Sequence, residues 1–496
     1  MGYPLYKKLS VGIIGLGAIG FIHRTVVRKE RNNPVKDGVS KEAQNGTHLN
    51  FVKNRKAFLI ISLFLLSFSN NSYSQKKQEI NEVMTQKNKT PKFSPDAFII
   101  SGDFHLNKIN NRKKGLKGIS ACHLNLADAA DPQNYSLCKK LGLSVIVSKA
   151  PPLTPSDWMK FSDKEIDDYI KKMINKAGRH KTIIGYYLCD EPSALAFPAL
   201  AKAVAAVKKY ARGKLAVINL YPNYATIWKM NKTKSQLGTK TYTEYLEKYM
   251  DEVKPQVISY DNYMVELSMD LEDRKKAESY FTNLLEVRRI ALKYNIPFWN
   301  VVSSNQIRPF TTIPSPANLA LQAYTSLAAG AGGIRWYTYH GQRYDYNPLD
   351  KQENRTLTWR YLEEINRQLS ILGPVIKNLS STGVYFTSPA PEATLAGLPG
   401  KWVQKVETTV PMMIGEFKSV NDTNYVMVVN LSLEKSARFD LTTSIPNEKL
   451  SMLALGENGE FVHLNRENGI WLTAGQGVLI KCGGESFTEP KDRKRK

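Results

Sequence analysis

Between residues 97 and 341, short apolar runs with strand character alternate with amphipathic helical stretches, and this alternation constrains the chain more than any single motif. The runs are DAFIISGDFH (97–105), GISACHLN (118–125), LSVIVSKA (143–150), IIGYYLCDE (183–191), KLAVINLYP (214–222), QVISYDNY (256–263), IPFWNVVSSN (296–305) and GGIRWYTYHG (332–341). Between most of them lie helical patterns such as DKEIDDYIKKMINKAGRH, PALAKAVAAVKKYAR, ESYFTNLLEVRRIALKYN and ANLALQAYTSLAAGA. Eight strands alternating with helices predict an α/β fold, a (β/α)8 TIM barrel over 96–376; a doubly wound open sheet is the alternative.

The pattern then changes. LTWRYLEEINRQLSILGPVIKNL (357–379) reads as a closing helix ended by Gly373 and Pro374. Beyond it, TGVYFTS, KWVQKVET, MMIGEFKS, NYVMVVNLS, ARFDLTT, LSMLALG, GIWLTA and GVLIKCG are short alternating strands. They predict a small all-β sandwich at 377–484, packed against the barrel, with a basic tail at 485–496. A chain of 496 residues with 42% hydrophobic content has room for this core.

The N-terminal stretch VGIIGLGAIG (11–20) has the form of a strand followed by Gly15-x-Gly17-x-x-Gly20, the spacing of a dinucleotide fingerprint. Over about twenty residues it resembles the opening of the NAD-dependent Gfo/Idh/MocA oxidoreductases. A working site needs a second strand ending in an acidic residue roughly 20 positions on. Here the polar stretch RKERNNPVKDGVSKEAQNGTHLN follows instead, so no βαβ unit is completed and no cofactor is expected. Lys53, Arg55 and Lys56, the apolar run AFLIISLFLLSF and the small and polar stretch SNNSYSQ, with a cleavage site at Ser72-Tyr73-Ser74, have the layout of a secretory signal peptide at 53–75. The apolar run is shorter than the ~20 residues of a membrane-spanning helix. Residues 1–52 then read as a spurious or fused extension, and the polar residues 76–95 as a disordered leader. The expected location is periplasmic or extracellular, with an uncleaved signal anchor as the alternative.

The formal net charge of +24 invites an anionic partner, but residues 1–56 and 489–496 together supply 11 of those charges. The moderate excess left on the body could attract an anionic glycan, but scattered surface lysine is the preferred account of it. No basic stripe interleaves with aromatics, so nucleic acid is not an expected partner, and no zinc-ligand spacing occurs. The four cysteines, Cys122, Cys138, Cys189 and Cys482, form no CxxC and describe no disulfide framework; Cys122 and Cys138 are the one pair considered for a bridge.

In a (β/α)8 barrel, chemistry belongs at the C-terminal strand ends, where the βα loops converge. Those ends carry Asp103 and His105, His123 and Asn125, Ser148 and Lys149, Asp190 and Glu191, Asn219 and Tyr221, Tyr260, Asp261 and Tyr263. The last two carry Trp299, Asn300, Ser303 and Asn305, then Arg335, Trp336, Tyr337, Tyr339 and His340. Carboxylates among Trp, Tyr and Asn suit a sugar site, because rings stack on pyranose faces while amides and phenols hydrogen-bond hydroxyls. The substrate-binding set is Asp103, His123, Asn219, Tyr221, Tyr263, Trp299, Asn300, Trp336 and Tyr337.

The fourth run ends in Asp190, Glu191 and Pro192. With a barrel of this layout, the closing helix carrying LGPVI and the β domain after it, residues 97–480 resemble the (β/α)8 glycoside hydrolases of the large retaining clan, particularly secreted, β-galactosidase-like members from polysaccharide-degrading bacteria. The resemblance implies that Glu191 is the acid/base, since a glutamate before proline ends the fourth strand in that clan. The clan's nucleophile is a glutamate ending strand seven, and WNVVSSN has no carboxylate there. Three readings remain open. Asp261 is the second carboxylate, working on the opposite face of the sugar ring, at about 5 Å from Glu191 for retention or about 6.5–9.5 Å for inversion. Alternatively the substrate assists, Asp190 orienting an N-acetyl group as in the hexosaminidases. In the third reading the barrel binds glycans without cleaving them. The first predicts a glycosidase acting on a plant or algal polysaccharide or its oligosaccharides, with Glu191, Asp261 and Asp190 as its catalytic set.

Overall fold

The computed structural model describes residues 97–483, apart from 103–106, 150–151, 227–235, 266–270, 272–273, 341–343, 447–448, 457–458 and 465–468. The dinucleotide-like motif, the signal-peptide layout, the leader, the basic tail, Asp103 and His105 lie outside the described residues.

Eight parallel strands close on themselves in sequence order. They are β1 (Ile99–Ser101), β2 (Leu126–Asp128), β3 (Ser144–Val147), β4 (Ile183–Asp190), β5 (Leu215–Leu220), β6 (Ile258–Asp261), β7 (Phe298–Ser303) and β8 (Gly333–Tyr337). The principal helices are α1 (Lys113–Ala121), α2 (Tyr135–Lys140), α3 (Asp163–Ala177), α4 (Phe197–Tyr210), α5 (Tyr242–Lys248), α6 (Asn283–Lys293), α7 (Pro316–Ala328) and the closing α8 (Leu357–Ile376). Capping chemistry starts several of them: Ser162 and Glu165 exchange side-chain and backbone hydrogen bonds at the head of α3, as Ser315 and Asn318 do at the head of α7.

The lower barrel interior is apolar. Ile99, Leu126, Ile146, Ile184, Val217, Val257 and Trp299 pack there as one cluster. Gly333 is required by that packing, because a Cβ on it would stand 2.8 Å from Ile99 Cβ and 2.9 Å from Trp299 Cδ1. Alternate strand residues, among them Ile183, Ile218, Tyr260, Val302 and Trp336, face outward into the larger core shared with the helices.

The second strand differs from its prediction. Residues 118–121 complete α1, and the strand begins at Leu126, because Gly118 and Ile119 continue a helical face that buries Leu116 and Ile119. The closing helix also departs from expectation. It runs through Pro374 to Ile376, since a proline so near the C-terminus sacrifices only one late hydrogen bond.

After α8, the described residues form nine antiparallel strands, β9 (Leu379–Phe386), β10 (Val403–Thr408), β11 (Met412–Ser419), β12 (Asn424–Asn430), β13 (Ala437–Thr443), β14 (Leu450–Leu453), β15 (Phe461–His463), β16 (Ile470–Leu472) and β17 (Gly477–Cys482). A six-stranded sheet has the order β15–β14–β17–β12–β11–β9, and a three-stranded sheet the order β10–β13–β16. One face of the larger sheet packs on the barrel. Gly415 of β11 permits this, since a Cβ there would lie 2.1 Å from the Ala328 carbonyl oxygen. The four cysteines are all free and buried, Cys122 and Cys138 included. Among the described residues, no helix is long and apolar enough to cross a membrane.

Candidate active site

Strand β4 meets its neighbours with two register shifts, at Val145/Ile146 on the β3 side and at Tyr187/Cys189 on its own strand facing β5. Ile184, Tyr187 and Asp190, three residues apart rather than two, thereby share the interior face. Directly after the strand, Glu191 adopts φ of 42°, a region costly for any residue but glycine. Its N–H donates to the Asn219 carbonyl at 2.8 Å, which pins that turn to β5.

Asn219 lies beneath the acidic groups and is 2% exposed. Its amide nitrogen donates to Asp190 Oδ1 at 3.2 Å and to Asp261 Oδ2 at 3.1 Å, and its Oδ1 accepts from Ser259 Oγ at 2.9 Å. Both amide hydrogens are therefore committed to carboxylates. Asn219 positions the acids instead of offering donors to a sugar, a correction to its expected role.

Glu191 and Asp261 meet side chain to side chain, each carboxyl acting on the other's ionisation. Burial, then the Asp190 charge, raises the Glu191 carboxyl to about 7, with the Asp261 hydrogen bond pulling the other way. Asp261 is held well above the usual carboxylate range, first by burial and then by the charges of Glu191 and Asp190. Two acids in contact in a water-poor site cannot both ionise cheaply, so the pair retains a proton near neutrality.

Phenols surround this group. Burial, and then the Asp190 charge, raises the Tyr187 hydroxyl. The Tyr263 hydroxyl donates to Asp261 Oδ2 at 3.4 Å, and its ring stacks on Tyr337 with centroids 5.3 Å apart. Tyr221, half-buried at the end of β5, is pushed up to about 12 by burial and then by Glu191. Tyr224 is raised by burial and then by Asp261. Deeper in the barrel, Arg335 Nη2 donates to Asp128 Oδ2 at 2.7 Å, and both side chains are buried. The guanidinium sits 5.9 Å from the Trp299 ring centre. Among the described residues, no group of three or more His, Cys, Asp and Glu is arranged to hold a metal ion.

The structure thus brings together Asp190, Glu191, Asp261, Asn219, Tyr221, Tyr263 and Tyr337. Four expected residues are elsewhere. His123 precedes β2, at the opposite end of the barrel, where the charges of Glu363 and Arg367 on α8 act on it. Trp299 is 3% exposed and fills the barrel floor. Asn300 points outward, its Nδ2 donating to Ser326 Oγ of α7 at 2.9 Å. Trp336 also points outward, its Nε1 donating to Asn366 Oδ1 of α8 at 2.8 Å. Strand β7 ends at Ser303, which is buried, and offers no carboxylate there. Tyr187, Tyr224, Ser259 and Asp128 were not singled out from sequence. The one usable signal was LADA, an apolar run interrupted by Asp128, hidden because strand two was expected too early.

No family model matches the chain, and no curated protein matches it. Solved structures do. A catalytic-mutant structure of Gan42B, a GH42 β-galactosidase from G. stearothermophilus, is similar with a TM-score of 0.52 at 7% identity, covering 79% of this chain and 99% of that one. A second Gan42B structure gives a TM-score of 0.52 at 8% identity, covering 78% and 98%. The likeness is one of fold: a (β/α)8 barrel of the kind seen in glycoside hydrolases, followed by antiparallel β-sheets. It extends through the β domain, because nearly the whole of that protein is covered.

Proposed function

We propose that this protein hydrolyses glycosidic bonds, with Glu191 as the acid that protonates the leaving oxygen. One observation carries the reading: at the end of β4, where the barrel opens, Glu191 has a carboxyl raised to about 7 and faces a second, buried acid. A carboxylic acid that keeps its proton near neutral pH is suited to general acid catalysis. The fold shared with a β-galactosidase supports the same class of chemistry.

Asp261 works first as the partner of Glu191. Buried and proton-retaining, it is a poor nucleophile as it stands. Two-carboxylate catalysis needs about 5 Å between the groups for retention and more for inversion, so substrate would have to part the pair. Their contact favours a second reading in which the substrate's own acetamido group attacks, oriented by Asp190, while Glu191 delivers the proton. The proposed setting is periplasmic or extracellular, supported by the layout of residues 53–75. The substrate is a plant or algal polysaccharide or its oligosaccharides.

Glu191→Gln tests the assignment. It should lower turnover about 10²–10⁴-fold on whichever glycan the wild-type protein cleaves, while binding persists. Near-normal turnover in that variant would remove Glu191 from the role.

A further inference from the structure

The loops that follow β7 and β8 expose an aromatic surface which the proposed chemistry does not use. Phe310 is 78% exposed, Tyr346 51% and Ile313 48%. Both loops leave the C-terminal ends of their strands, so they flank the barrel mouth. They are joined to each other: Gln306 N donates to the Asp345 carbonyl at 2.9 Å, and Asp345 N to the Gln306 carbonyl at 3.3 Å.

The exposure is built in. The buried Gln306 side chain donates to the Thr311 carbonyl at 2.7 Å, and Arg308 N and the Thr311 hydroxyl bond to each other at 3.2 Å. The turn at 308–311 is thereby folded back against the bridge with Phe310 at its tip. Tyr346 is held at φ of 53°, and Asn347 beside it donates to the Tyr344 carbonyl and accepts from Thr338 Oγ1 at 3.2 Å. Sustained backbone strain under an exposed aromatic is a feature of functional surfaces.

The surface is also continuous with the acids. The Tyr344 hydroxyl bonds that of Tyr337 at 2.6 Å, Tyr337 stacks on Tyr263, and Tyr263 donates to Asp261. Phenol rings therefore lead from the carboxylates to the loop that carries Tyr346, and the Gln306–Asp345 bridge ties that loop to the one that carries Phe310. Two rings offer about 150–250 Å² each, well short of the ~800 Å² per partner that a stable dimer buries. A flat ring on the rim of a sugar site suits the apolar face of a pyranose.

We propose that Phe310 and Tyr346 form a stacking platform for sugar units remote from the cleaved bond, so that the substrate is an extended glycan chain and not a disaccharide. This rests on the glycosidase reading and adds chain length to it.

The test uses the full chain and a panel of soluble β-glucans, galactans, xylans and chitin fragments, each with its oligosaccharides of about two to six units. Phe310→Ala combined with Tyr346→Asn, a residue that tolerates positive φ, is compared with wild type after thermal melting confirms folding. The expected result is a drop of about tenfold in the ratio of kcat/KM for the hexasaccharide to that for the disaccharide, expressed mainly in KM. Binding of the hexasaccharide to the Glu191→Gln protein should weaken to the same extent when both substitutions are added. Cleavage with an unchanged length ratio overturns the platform and leaves the glycosidase reading standing. A dimer dispersed by the same substitutions, with the ratio unchanged, assigns the surface to a second copy and also overturns it. If wild type neither cleaves nor binds any member of the panel, the glycosidase reading fails and the platform with it.

Discussion

Glu191, at the end of β4, and Asp261, at the end of β6, meet across the strand between them, and Asn219 of that strand holds Asp261 from below. The two carboxylates are thus held by residues at the ends of three adjacent strands, β4, β5 and β6.

On the proposed reading, activity should fall as pH rises through about 7, because the Glu191 carboxyl then loses its proton. Asp190→Asn removes the neighbouring charge that helps raise Glu191, and the alkaline limb should move down by about one unit. A pH profile of kcat/KM checks both, and a limb that does not move would detach Asp190 from Glu191.

The same raised carboxyl sets a pH dependence of stability. The folded state holds a proton that the unfolded chain releases above about 4.5, so the Glu191 contribution weakens stability as pH rises from there to about 7 and is constant beyond. Glu191→Gln should therefore be more stable than wild type at pH 8, by on the order of 1–2 kcal/mol, and show little difference at pH 4. Urea denaturation at the two pH values measures it.

Asn219→Ala leaves Asp190, Asp261 and Ser259 without their shared partner. A loss of about 2 kcal/mol is expected from those unsatisfied groups. A merely structural role would stop at stability. As a positioning residue, Asn219 should also shift the alkaline limb of the pH profile, because Asp261 is no longer fixed against Glu191.

Removing one partner of the buried Arg335–Asp128 pair leaves a charge in the barrel interior. Arg335→Met should cost about 3–5 kcal/mol, and Arg335→Met with Asp128→Leu should recover much of it. Chemical denaturation of the single and double variants separates the two outcomes.

Much of this fold was legible in the chain itself. Seven of the eight predicted barrel strands fall where apolar runs placed them, since strand burial depends on local hydrophobicity and little else. Asp190, Glu191 and Asp261 were legible for the same reason, as charges that end such runs. Facing was not. Trp336 and Tyr337 are neighbours in sequence, yet one packs on α8 and the other lines the mouth. Period-two reading assigns such pairs only if the starting register is known, and in β4 two register shifts break the period altogether.

The sequence by itself determined the alternation of strands and helices, the β-rich segment after them and the acidic end of the fourth strand, because each depends on residues adjacent along the chain. Tertiary structure alone decided that Asn219 bridges two carboxylates, that Glu191 meets Asp261 and that Trp299 is buried in the barrel floor. Those relations join residues far apart along the chain, 29 and 42 positions for the two Asn219 bonds, and barrel closure, which no local pattern encodes, sets their distances.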